Sequence, residues 1–198
     1  MTDRINILLN MNDFITIDFE TGAYSPESAI SVGLVKYRNY QPIGSYYSLI
    51  RPPKLYVRPD FTQIHGLTID DVIDAPNFSY LWENEIKGFI GKTILAAHNA
   101  PFDMKVLKAA LEWYNIPVPN LPYFCTLNLS RRAWSKLKSH ALTSLAKNFG
   151  IVYNAHNALD DAFTCGKLVQ MAAEGFDPEK SVEEFLEFMG LEIKCLGK

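Results

Sequence analysis

The sequence predicts a mixed α/β fold, on three observations. A run of β-branched and aromatic residues near the start, Phe14 to Thr21, reads as a strand covered on both faces. Two more strand-like runs follow it across short to moderate turns, as in an antiparallel meander. Beyond them, helical patterns alternate with short apolar strands, which places helices on the faces of a sheet. The expected sheet has five strands: three antiparallel, then two made parallel to the first by the crossover rule.

Taken in order, Phe14-Ile15-Thr16-Ile17-Asp18-Phe19-Glu20-Thr21 is the central strand, with apolar residues at both parities up to Ile17. Gly22 to Ser28 is a loop, Ala29 to Tyr37 a second strand, Tyr40-Gln41-Pro42 a turn and Gly44 to Ile50 a third strand. Pro52, Pro53 and Pro59 break regular structure. Thr68 with Asp71 resembles an N-cap pair opening a short helix. Ser79 to Ile90 reads as a helix, with Leu81, Trp82, Glu85, Ile86, Phe89 and Ile90 at helical spacing, and Gly91 stops it. Thr93 to Ala97 is a short strand running into His98-Asn99-Ala100-Pro101-Phe102-Asp103, where Pro101 suits the first turn of a helix. That helix reaches about Tyr114, and prolines at 117, 119 and 122 end it. Tyr123 to Thr126 is a fifth strand, followed by helical stretches through Trp134, over Leu142 to Phe149 and over Asn157 to Ala173. Ser181 and Glu184 form a capping box for a last helix. Residues 1–12 carry no clear pattern. No linker divides the chain, so residues 1–198 are expected to form one domain, with a core over about 13–173 and a C-terminal helix and tail over 176–198.

Composition narrows the class. Hydrophobic residues are 48% and charged residues 21% of the 198, ordinary for a soluble globular protein. No apolar run is long enough to span a bilayer, and no cationic-then-apolar leader is present. Cys125, Cys165 and Cys195 are scattered without C-x-x-C spacing, which argues against a disulfide framework or zinc site and for a reducing cytoplasm. The net charge of −3 does not favour nucleic acid in bulk. An acidic active site would itself make a chain acidic, and bound metal reverses the local sign.

The chemistry begins on the first strand. Asp18 and Glu20 stand at i and i+2 and so share a face. Two buried like charges are unfavourable unless a cation joins them or one takes a proton, and hard cations such as Mg²⁺ favour oxygen ligands. Asp103 heads an apolar helical stripe through Leu107, Ala110 and Tyr114, although an acid in a first turn also simply complements the helix dipole. His156, Asp160 and Asp161 precede and open the last long helix; alone, His156 reads as a surface or capping residue. From Asp161, helical spacing leads to Cys165, Leu168 and Ala172, whereas from Asp160 it leads to Thr164, Lys167 and Met171, so Asp161 is the acid expected to face the body. Four carboxylates can hold two Mg²⁺ ions for an in-line phosphoryl displacement, and a nearby neutral histidine can take a proton from the attacking water.

These segments resemble the DEDDh 3′→5′ exonucleases of the ribonuclease H-like fold. Asp18-Phe19-Glu20-Thr21 matches D-x-E-T, His98 through Asp103 matches H-N-A-x-F-D, and His156 through Ala162 matches H-x-A-x-x-D-A. Ile64-His65-Gly66-Leu67-Thr68 looks like the family's I-H-G-I-T stretch, and the likeness covers about residues 13–173. It is greatest to the proofreading epsilon subunit of bacterial replicative polymerase and its stand-alone relatives. The resemblance implies that Asp18, Glu20, Asp103 and Asp161 bind two divalent cations, Mg²⁺ with Mn²⁺ able to substitute, and that His156 is the general base. It places Thr21 and His65 near the 3′-terminal nucleotide, with Phe19 either stacking on a base or filling the core. His98 and Asn99 are expected to shape the start of the helix. Gly22-Ala23-Tyr24 departs from the epsilon pattern in a loop that faces substrate.

The expected substrates are single-stranded 3′ ends, DNA before RNA, and the expected products nucleoside 5′-monophosphates. A polymerase or a second copy is a candidate partner. The alternatives are an exoribonuclease or oligonucleotide-degrading enzyme and, from other classes, a non-catalytic nucleic-acid-binding module or a metal-stabilised structural protein. Arg131, Arg132, Lys136 and Lys138, with Trp134 among them, read either as a solvated helix face or as contacts to phosphates and bases upstream of the scissile bond.

Overall fold

The central strand sits third in a six-stranded sheet of order β3-β2-β1-β4-β5-β6. The computed structural model describes residues 13–177 and 180–197; residues 1–12 lie outside the described part. β1 (Asp13–Thr21) pairs antiparallel with β2 (Ala29–Arg38) and parallel with β4 (Ile94–Ala97). β2 continues antiparallel into β3 (Gln41–Leu49), and β4 pairs parallel with β5 (Pro122–Cys125).

Three expectations are corrected. Among the described residues the sheet has six strands, because Lys194–Cys195 (β6) adds antiparallel to β5; two residues are too few for a periodic signal. The β2–β3 turn is Asn39-Tyr40, not Tyr40-Gln41-Pro42. Both residues have positive φ, 49° and 60°, as a two-residue hairpin turn matching the strand twist requires. Pro59 also starts a helix, α1 (Pro59–His65), at the position where a missing N–H costs nothing.

The remaining helices follow the periodic segments. α2 (Ile69–Val72) starts at the Thr68–Asp71 pair, where the Thr68 N–H donates to Asp71 Oδ2 at 2.7 Å. α3 (Phe78–Leu81) and α4 (Lys87–Ile90) are joined by a π-helical turn over Trp82–Ile86. Next come α5 (Pro101–Trp113), α6 (Thr126–Ala133), α7 (Leu142–Phe149), α8 (Ala158–Ala172) and α9 (Val182–Phe188). Ser181 and Glu184 close the expected capping box on α9.

β1 divides the core by its two-residue period. Ile15, Ile17 and Phe19 pack with residues of α3, α4 and α5. Phe14 points the other way, among residues of α8 and α9 and stacked on Tyr37 at 4.7 Å. Asp18 and Glu20 share the parity of Phe14, so they project on the side covered by α8. Two glycines let α8 approach: a β-carbon on Gly33, the cross-strand partner of Asp18, would overlap the Ala158 carbonyl, and one on Gly166 would overlap the Tyr37 ring. The start of α8 is thereby seated against the strands that carry the acids.

Candidate active site

Four segments converge at the carboxyl end of β1. Asp18 and Glu20 come from the strand, Asp103 from the first turn of α5 and Asp161 from the first turn of α8. His156 lies on the turn before α8, in a left-handed conformation with φ of 64°. Ligand atoms of Glu20, His156 and Asp161 all lie within 4.8 Å of one another. Asp18 and Asp103 complete the cluster: each interacts electrostatically with Asp161, and Asp18 also with Asp103 and Glu20.

Local bonding fixes the two acids that come from helices. Asp103 is buried, and its Oδ1 accepts the Phe19 N–H at 3.1 Å, tying α5 to the strand between the two acids. Its Oδ2 is buried without a hydrogen-bond partner. Asp161 is also buried, and its Oδ2 accepts the His156 N–H at 3.0 Å, which holds the histidine turn against the helix. Asn157 caps α8 by accepting the N–H groups of Leu159 and Asp160, so Asp161 is not needed as the cap. Asp160 takes an outer position and accepts the Asn154 N–H at 3.3 Å. Helix phase separates the neighbouring aspartates in the expected sense.

Burial raises every acid of the cluster, and repulsion from the other clustered acids adds to it for Asp18, Glu20 and Asp103. Asp18 and Asp103 stand well above the usual carboxylate range, chiefly through burial, which their acidic neighbours reinforce. Glu20 is pushed up to about 8 by burial, then by Asp161 and Asp103. Asp161 rises to about 6 through burial, partly offset by the His156 N–H. Such a cluster wants either protons or cations. An all-oxygen carboxylate set with an orphaned buried oxygen suits a hard divalent cation.

The remaining expected residues fall into two groups. Thr21 and His65 border the cluster: His65 Nδ1 accepts the Leu67 N–H at 3.0 Å, its Nε2 is buried without a partner, and burial, with His156 adding to it, lowers its pKa. Phe19 does not line the site. Its ring is buried on the opposite face of β1, 6.4 Å from Phe78, and only its backbone serves the acids. A cavity of about 110 Å³ opens beside Thr21, lined also by Tyr24, Phe61, Phe102 and Lys105. Phe102 is 44% exposed on the helix that buries Asp103; its place in the H-N-A-x-F-D match, next to an acid at a helix start, was its sequence signal. Tyr153, whose hydroxyl faces Asp161 without closing a hydrogen bond, carried none. A separate cavity of about 530 Å³ is lined by Tyr37, Pro42, Val152, Phe163 and Lys167 and contains none of the five clustered residues.

A family model described as exonuclease, RNase_T, matches residues 15–169. The chain belongs to this exonuclease family. Its four acids and histidine follow the DEDDh order, and membership implies dependence on divalent metal. Among relatives, the 3′-5′ exonuclease DinG of Staphylococcus aureus (strain MRSA252) is 32% identical over 172 residues, covering 85% of this chain and 19% of the relative. The chain thus spans about a fifth of that relative's length. Among solved structures, exonuclease X in complex with 5′ overhanging duplex DNA has a TM-score of 0.66 at 23% identity, over 86% of this chain and 98% of that one. The nuclease domain of 3′hExo, a DEDDh family member bound to rAMP, has a TM-score of 0.70 at 16% identity, over 93% and 96%. Both share the fold. No helix among the described residues is long and apolar enough to cross a membrane.

Proposed function

We propose that this chain is a single exonuclease domain that removes nucleoside 5′-monophosphates from single-stranded 3′ ends, DNA in preference to RNA. The observation that carries the reading is the convergence of Glu20, His156 and Asp161 within 4.8 Å, beside Asp18 and the buried Asp103. Asp18, Glu20, Asp103 and Asp161 would hold two divalent cations, Mg²⁺ with Mn²⁺ able to substitute. When bound, such ions stabilise the attacking and leaving oxygens of an in-line displacement.

The chain's own groups do the rest. His156 is exposed at the mouth of the cluster, where its imidazole nitrogen takes the proton of the attacking water. The Asp161–His156 backbone bond keeps that ring beside the acids. Thr21 and His65 border the scissile end, and the cavity walled by Phe102 and Tyr24 receives the terminal nucleoside. An RNA-directed reading draws support from the rAMP in the 3′hExo structure. The deciding experiment incubates 5′-labelled single-stranded DNA and RNA with Mg²⁺ or EDTA and sizes the products. The reading expects a Mg²⁺-dependent ladder on DNA at a higher rate than on RNA. Faster loss of RNA would reverse the preference, and no shortening of either would refute the activity.

A further inference from the structure

A hydrogen-bonded thread, buried at one end and partly buried along the rest, runs from beneath the acid cluster to the cationic segment between α6 and α7. It begins at Cys165, one turn after Asp161 on α8, whose buried thiol interacts electrostatically with Asp18 and Asp103. Cys165 Sγ lies 3.2 Å from Thr126 Oγ1, which lies 3.0 Å from His98 Nδ1. On the far side of the ring, His98 Nε2 lies 2.8 Å from the backbone oxygen of His140. A carbonyl only accepts, so Nε2 carries the hydrogen. Thr126 Oγ1 also lies 3.3 Å from the Ala97 carbonyl, so its one hydrogen serves either that carbonyl or His98 Nδ1, and the contact with Cys165 Sγ completes the thread. His140 is held a second time. Ser130 gives its hydrogen to the Leu127 carbonyl at 2.8 Å and so accepts from His140 Nδ1 at 3.0 Å.

The thread ends where the cations are. Residues 134–141 join α6 to α7 and carry Lys136 and Lys138, both exposed, just after Arg131 and Arg132. Among the described residues, none of these four makes an ion pair with an acid. Trp134 packs 4.6 Å from Phe149 and so anchors the segment's other end. β1 and β4 pair in parallel with Thr16 opposite Ala96, which puts His98 level with Asp18. The cationic segment is therefore fastened at the height of the acids, at the carboxyl ends of the strands, where α/β sheets bind ligands.

We infer that His98 is a positioning residue: it fastens residues 134–141 so that Lys136 and Lys138 meet the phosphates of the nucleic-acid strand upstream of the scissile bond. This rests on the exonuclease reading and adds a role for a residue that touches neither substrate nor metal. It separates strand capture from chemistry. Loosening the segment weakens the hold on a long strand and leaves hydrolysis of a single nucleotide ester alone.

The test compares a long single-stranded DNA oligonucleotide with the p-nitrophenyl ester of thymidine 5′-monophosphate, which has no upstream phosphates. His98→Gln should raise KM for the oligonucleotide about fivefold with kcat near wild type, and leave the ester unchanged. The slope of log(kcat/KM) against log salt should shrink by about 0.7 for each lysine that no longer reaches a phosphate. Lys136→Ala/Lys138→Ala should do the same, and adding His98→Gln to it should cost nothing more, because both act through one segment. Ser130→Ala, which releases His140 from the other side, should shift KM in the same direction and covers the case in which His98→Gln fails to fold. Equal losses on ester and oligonucleotide, or additive effects of His98→Gln and the lysine pair, would overturn the inference. If the wild-type chain cleaves neither substrate, the exonuclease reading itself fails, and this inference with it.

Discussion

Removing metal should make this protein lose stability as pH rises through neutrality. Glu20 is raised from 4.5 to about 8 in the folded chain. Between those values the folded state keeps a proton that the unfolded state has released. The contribution is fully present below pH 4.5 and is lost as pH climbs through about 8. At about 1.4 kcal/mol per tenfold change in proton affinity, the ceiling for Glu20 alone is about 5 kcal/mol. Glu20 is only half-buried and titrates together with its neighbours, so solvent screening and coupling reduce this to about 2–3 kcal/mol. For a chain of this size that is a fall in Tm of about 5–10 °C. Thermal unfolding in EDTA from about pH 5 to about pH 9 measures it, and Mg²⁺ should abolish most of the fall by supplying the missing positive charge. Glu20→Gln should flatten the EDTA curve. A Tm that is level or rising over that window in EDTA, or one indifferent to Mg²⁺, would refute the reasoning.

Other substitutions probe single links. Asp161→Asn should lose nearly all nuclease activity and weaken Mn²⁺ binding while Asp160→Asn stays close to wild type; comparable losses in initial-rate assays would contradict the helix phase. His156→Ala should lower single-turnover rates by roughly 10²–10⁴-fold and leave Mn²⁺ affinity nearly unchanged, and an unaltered acidic limb of the pH–rate profile would exclude it as the base. Gly33→Ala should destabilise by about 1–3 kcal/mol in denaturant titration and depress activity, because the β-carbon displaces the start of α8; a variant with wild-type stability would show that α8 can move away without penalty.

What the sequence made legible was whatever repeats with a period or sits in a local motif. The two-residue step from Asp18 to Glu20 announced a shared face, the apolar stripe behind Asp161 distinguished it from Asp160, and Pro101 marked the start of α5. What stayed hidden depends on contacts between distant segments. Nothing near Gly33 or Gly166 says that a helix from the far end of the chain rests on them. The Asn39-Tyr40 turn escaped because the neighbouring Pro42 gives a stronger turn signal than a tyrosine at positive φ. Of the two readings open for Phe19, its ring takes the core: alternation along the strand sends it away from the acids, and only its place inside the motif suggested substrate. The thread from Cys165 through Thr126 and His98 to His140 joins four segments, so only the folded chain reveals it.

The central claim is that four acids from one strand and two helices hold a pair of ions. Counting Mn²⁺ bound per chain, by calorimetry in the presence of a nucleoside 5′-monophosphate, tests it most directly. The account predicts two ions for the wild-type chain and fewer for Asp103→Ala, whose fold stays intact by circular dichroism. A single ion in the wild type, or the same count after Asp103→Ala, would contradict it.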